Sequence, residues 1–183
     1  GCSAATSTYV AVASIAAPTV VASAPGQICS GNTLTLTSTP SGGSNVFNAY
    51  KWAGPNGFQA SVQNPVPFMA NGLASGTYSV TVTDSRGCNG TGTATVVVHE
   101  PKAAPSINSP ICAGTTVLLR ANPTDGAGNY TAFKWNGPNG YMSLDENPTG
   151  FPATMAAIGN YVVTVTDAAG CTGQGSVLLS FQA

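Results

Sequence analysis

Five cysteines, at positions 2, 29, 88, 112 and 171, are the residues of this chain whose type and spacing could do chemistry. Cys29 and Cys88 are separated by an offset of 88 − 29 = 59, and Cys112 and Cys171 by the same offset, 171 − 112 = 59. Thiols at equal spacing point to structural disulfides in an oxidising compartment. They do not point to a metal site, which would want closely spaced Cys or His ligands; no CxxC pair occurs and there is one histidine. Cys2, near the start of the chain, reads either as a lipid-anchored N-terminus or as one half of a bridge.

Acid–base chemistry has little to work with. His99 sits beside Glu100-Pro101. A general base needs a reacting partner in a cleft, and a histidine in a linker is expected to be solvated. The carboxylates are Asp84, Glu100, Asp125, Asp145, Glu146 and Asp167. Asp84 and Asp167 each close a VTVTD string just before a turn, where an Asp side chain accepts backbone N–H bonds. Calcium would need several carboxylates gathered at one place. Asp125, Asp145 and Glu146 fall opposite Gly42, Val62 and Gln63, so no cage recurs. GxSxG, HExxH, P-loop and dinucleotide fingerprints are absent. The expectation is a protein that is not an enzyme, with no catalytic residue, metal or cofactor. Charged residues make up 6 % of the chain and the net charge is −1, which excludes a basic nucleic-acid-binding surface. No apolar run approaches the roughly 20 residues of a membrane span.

The elements that must position these residues are repeated. Residues 51–57 read KWAGPNG and residues 134–140 read KWNGPNG, an offset of 134 − 51 = 83. The same offset relates Cys29 to Cys112, Asn64-Pro65 to Asn147-Pro148, Tyr78 to Tyr161, Asp84 to Asp167 and Gly87-Cys88 to Gly170-Cys171. Two copies of one module are expected, at 17–100 and 101–183. The opening residues, GCSAATSTYVAVAS, align with the GCNGTGTATVVV that ends the first copy. Residues 1–16 therefore read as the final strand of a preceding repeat, or a strand donated to a neighbour. Cys2 then corresponds to Cys88 and Cys171.

Each copy reads as short strands between turn signals, with no helical stripe. In the first copy they fall at 18–23, 31–38, 47–53, about 58–63, about 66–70, 76–84 and 91–98. In 76–84, Tyr78, Val80 and Val82 alternate with Thr77, Ser79, Thr81 and Thr83. One buried face per strand predicts two antiparallel sheets packed as a sandwich. Seven strands per module suit an all-β chain of two tandem immunoglobulin-like β-sandwich domains, preceded by the N-terminal strand. Trp52 and Trp135 take the place of a buried third-strand Trp, and Tyr78 and Tyr161 suit a tyrosine corner.

The string C-x-G…L-x-L…W-x-GPNG-F/Y…NP…G-x-Y-x-VTVTD-x-x-GC resembles the immunoglobulin-like and PKD-like repeats of large Bacteroidetes surface proteins, over both modules. The resemblance implies an extracellular or cell-surface β-sandwich used as spacer, filament or adhesive element. It implies no enzyme and identifies no ligand.

Two pairings of the cysteines remain open. The simpler has internal bridges, Cys29–Cys88 and Cys112–Cys171. In an immunoglobulin-like sandwich, however, Cys29 and Cys88 belong at opposite ends. A seven-residue strand spans roughly 23 Å, whereas a disulfide wants Cα atoms within about 7 Å. The favoured pairing crosses the junction, Cys29 to Cys171. It leaves Cys112 for a following module, Cys88 for a preceding one and Cys2 for one further upstream. Phe58 and Tyr141 follow the GPNG turns; they are expected to pack inward, with stacking on a sugar ring as the sharper alternative. Asn89-Gly90-Thr91 and Asn129-Tyr130-Thr131 match the N-glycosylation pattern.

The function expected is a structural repeat segment of an extracellular filament, stalk or adhesin shaft. The alternatives are a carbohydrate- or surface-binding module, or an accessory region of a larger secreted enzyme. The partners expected are further copies, end to end and laterally, and surface glycans.

Overall fold

A computed structural model describes residues 16–108 and 111–181. The expectation that residues 1–16 form a strand lies, but for Ala16, outside the described residues, as does Cys2.

The first half runs β1 (Pro18–Ser23), β2 (Gln27–Cys29), β3 (Thr33–Leu34), β4 (Thr37–Gly42), β5 (Phe47–Ala53), β6 (Gln59–Ala60), β7 (Phe68–Met69), β8 (Gly76–Asp84) and β9 (Asn89–His99). One layer is the sheet β2-β9-β8-β5-β6; the other is built from the pairs β1-β4 and β3-β7. All pairings are antiparallel except β2 on β9, which is parallel and matches Cys29 with His99. Strand β2 was not expected from sequence. The chain leaves β1 on one sheet and crosses to the other within Ala24–Gly26, which brings Cys29 to the end of β9. The expected single strand 31–38 is also broken: β3 stops at Leu34 and β4 runs on to Gly42. Leu34 and Leu36 both point into the core nonetheless.

The second half repeats the order with β10 (Lys102–Ala103), β11 (Ser106–Ile107), β12 (Thr116–Val117), β13 (Leu119–Arg120), β14 (Pro123–Thr124), β15 (Tyr130–Asn136), β16 (Met142–Ser143), β17 (Phe151–Pro152), β18 (Gly159–Asp167) and β19 (Thr172–Leu179). Its larger sheet is β16-β15-β18-β19, faced by the short pairs β10-β14, β11-β13 and β12-β17.

The alternation in VTVTD becomes burial directly. Along β8 and β18, Tyr, Val, Val and Asp are buried at every second position, and the residues between them are half-buried. Each half has its own core. Trp52 sits among Leu34, Leu36, Tyr78, Val80 and Val82, and Trp135 among Val117, Leu119, Tyr161, Val163 and Val165. Burying an indole requires a partner for its N–H. Trp52 Nε1 donates to the Val62 carbonyl at 3.1 Å, and Trp135 Nε1 to the Asp145 carbonyl at 3.1 Å. The corner tyrosines do the same: Tyr78 Oη donates to Ala74 O and Tyr161 Oη to Ala157 O, each at 2.9 Å. The glycine that opens each GPNG is a space requirement. A Cβ on Gly54 or Gly137 would collide with the ring of Tyr78 or Tyr161.

Candidate functional site: the junction between the sandwiches

Cys29 and Cys171 are joined by a disulfide, with Cα atoms 5.3 Å apart and a sequence separation of 142. The bridge crosses from the first sandwich to the second. An internal Cys29–Cys88 bond is therefore not formed, for the reason strand length gives: nine-residue β8 runs about 30 Å between the two ends of the sandwich. Cys88 is a half-buried free thiol and Cys112 an exposed one.

Each half of the bridge is held rigidly from behind. On one side β2 is hydrogen-bonded along Val97–His99, Ser30 N donates to His99 O at 2.8 Å, and Asn32 N closes a turn on Cys29 O at 3.1 Å. On the other side, Asp167 Oδ1 accepts from Ala169 N at 3.0 Å and from Cys171 N at 2.9 Å, while Oδ2 accepts from Ala127 N at 2.8 Å. Gly170 takes φ +79°, a left-handed conformation that glycine adopts without strain. Asp167 thus fixes the turn that presents Cys171. Burial alone would raise its pKa. The three backbone N–H donors and the positive field of His99 outweigh that and hold it below 3.8. Asp84 in the first sandwich is depressed likewise against its own burial, by donors Cys88, Ser44 and Arg86, with no histidine contributing.

His99 is not the solvated linker residue expected from sequence. It is 8 % exposed, and its Nε2 donates to Gln27 Oε1 at 3.0 Å. With Gln27, Cys29, Asn32, Ala169 and Cys171 it lines a cavity of about 260 Å³ at the junction. Its Nε2 meets an amide oxygen, which ties the end of β9 to β2 at the joint. Glu100, next in sequence, accepts from Gly72 N at 3.1 Å. Sequence reasoning missed Gln27 and β2 entirely. The stretch QIC is too short for a periodic signal, and its partner strand β9 lies at the far end of the module.

The aromatic residues of the turns are spent on packing. Phe58 stacks at 5.2 Å from Phe68 and meets Tyr78 edge-on at 5.3 Å; Tyr141 lies 4.9 Å from Phe151 and 5.2 Å from Tyr161. Both remain half-buried. A cleft of about 350 Å³ opens beside Tyr141, between Pro138, Phe151 and Thr154. The equivalent beside Phe58 is about 200 Å³. Among the described residues, no three of His, Cys, Asp and Glu are grouped as metal ligands would be. Asp125 instead pairs with Lys102 at 3.0 Å, on the exposed surface.

No family model matches the chain, and no curated protein matches it in sequence. Solved structures do. The eight N-terminal immunoglobulin domains of Down Syndrome Cell Adhesion Molecule match over 91 % of this chain and 28 % of that one, with a TM-score of 0.56 at 15 % identity. The full ectodomain of mouse nectin-like molecule 4 matches over 91 % of this chain and 65 % of that one, with a TM-score of 0.51 at 16 % identity. This chain thus spans less than two thirds of either. At such identities the likeness is one of fold: the chain is built of immunoglobulin-like β-sandwiches.

Proposed function

We propose that this chain is a structural repeat segment of an extracellular filament, stalk or adhesin shaft, made of the 17–100 and 101–183 modules. The observation that carries the reading is the Cys29–Cys171 bridge. A disulfide inside a domain stabilises that domain. A disulfide between two domains that each own a core adds little to either core and fixes how they meet. Fixed joints are what a load-bearing or length-setting rod requires, whereas flexible linkers decouple neighbours. Repeats that contact mainly their neighbours can be extended without redesign. The bridge also favours an oxidising, extracellular setting, in keeping with the resemblance to Bacteroidetes surface repeats. No helix of the described residues is long and apolar enough to cross a membrane. The proposed role is non-enzymatic, with further copies as partners.

The cleft beside Tyr141 supports a second reading, an adhesive module that takes a glycan against its aromatic wall. Glycan binding lost on Tyr141→Ala would support it, and binding unchanged by that substitution would remove it.

Electron microscopy of native material labelled with antibody to this chain tests the main reading. Uniform filaments or stalks with an axial repeat a little over ~30 Å, one sandwich long, are the expected result. Label confined to dispersed single molecules would overturn it.

A further inference from the structure

The structure contains one bonded junction and, among the described residues, two free thiols, Cys88 and Cys112. Cys112 follows Cys29 at the repeat offset, 112 − 29 = 83, and Cys88 precedes Cys171 at the same offset, 171 − 88 = 83. The correspondence is geometrical as well as sequential. In the loop that carries bridged Cys29, Gly31 has φ +87°, its N–H donates to Ala70 O at 2.8 Å, and Asn32 N donates to Cys29 O at 3.1 Å. In the loop that carries free Cys112, Gly114 has φ +83°, its N–H donates to Ala153 O at 2.8 Å, and Thr115 N donates to Cys112 O at 3.1 Å. The turn before bridged Cys171 hangs on Asp167, as described. The turn before free Cys88 hangs on Asp84, whose Oδ1 accepts from Arg86 N and Cys88 N at 2.9 Å each, with Gly87 at φ +83°. Each free thiol therefore sits in a turn with the same local hydrogen bonds as its bonded counterpart's, though the β2–β9 pairing behind Cys29 is a feature of the first sandwich.

We propose that a second copy of this chain docks end to end on the first, the Cys112 loop of one against the Cys88 turn of the other, and that these two cysteines form a disulfide between the copies. This rests on the array reading and names its partner. The internal junction is the template for the contact. In sequence the outer contact differs at four positions that line the inner one: Arg86 replaces Ala169, Thr115 replaces Asn32, Pro110 replaces Gln27 and Gln182 replaces His99. The bond forms by oxidation of two thiols, which release two protons and two electrons. An external disulfide such as oxidised glutathione accepts them through a mixed-disulfide intermediate and leaves as two thiols.

The test uses the full chain carrying Cys2→Ser, concentrated and incubated with oxidised glutathione. The readouts are non-reducing electrophoresis and mass spectrometry of linked peptides. The expected result is a ladder of dimers, trimers and longer species, with a Cys88–Cys112 linked peptide and Cys29–Cys171 intact. Cys88→Ser or Cys112→Ser should each abolish the ladder, and mixing the two variants should restore dimers alone. A ladder that survives either substitution, Cys88–Cys88 or Cys112–Cys112 links, or thiols that only take up glutathione would each overturn the proposal. Microscopy of the Cys88→Ser variant separates this failure from that of the array reading. Filaments that form without the bond would sink the staple and spare the array. Microscopy of the oxidised Cys2→Ser chain supplies the converse: linked but unaligned particles would spare the staple and sink the array.

Discussion

The C-terminal poles of the two sandwiches are built from the same loop and end differently. In the first, β2 lies along β9, Cys29 is bonded, His99 is covered, and β9 extends over eleven residues to His99. In the second, the matching Gly114 and Thr115 hydrogen bonds are present, but Cys112 is exposed and unbonded, and β19 stops at Leu179 after eight residues. The loop conformation is thus a property of each module. The bond to Cys171 is what the second module adds.

The comparison can be broken most severely at the cores. Trp52→Ala and Trp135→Ala should each cost about 3–5 kcal/mol, the range for emptying a large buried aromatic site. Urea unfolding gives the cost, and hydrogen exchange shows where it falls. Trp135→Ala should strip protection from β18 and β19 while β8 and β9 keep theirs; equal loss in both halves would show one cooperative unit instead of two modules.

A smaller effect is expected from Cys29→Ser, about 2–4 kcal/mol by the usual worth of a disulfide. It should fall on the joint, so the amides of Ile28 and Ser30 should come to exchange as fast as those of the Cys112 loop. Protection in β2 that survives without the bridge would mean that β9 alone holds it.

The subtlest effect concerns the paired aspartates. Both carboxyls titrate below 3.8 in the folded protein. Each therefore contributes stability that is complete above about pH 4 and is lost as pH falls through the depressed value. Only Asp167 has His99 among the causes. In His99→Gln, carboxyl-resolved NMR titration should find the Asp167 value moved up toward 3.8 and the Asp84 value unchanged. Equal movement of both would remove the junction histidine from the account.

Much of this was legible in the sequence because it is local. Alternation in VTVTD fixed which side of β8 and β18 is buried, and β1, β5 and β8 fall at the expected residues. The Asp turns followed from side-chain reach to neighbours just along the chain. The misreadings all involve distant partners. Strand β2 is defined by β9, at the other end of its module; β3 and β4 are divided by pairing with different strands; His99 is covered where β2 pairs with β9 and Gln27 meets its ring.

By itself, then, the sequence determined a twice-repeated sandwich, its Trp and Tyr core positions, and the places where thiols would lie. Period-two patterning and a constant offset between the copies are readable without coordinates. Which thiols meet could not be determined that way, since the equal spacing within each copy fits an internal pair as well as a junction pair. Tertiary structure decided it, because the length of a strand separates Cys29 from Cys88 and the stacking of one module on the next brings Cys29 within 5.3 Å of Cys171.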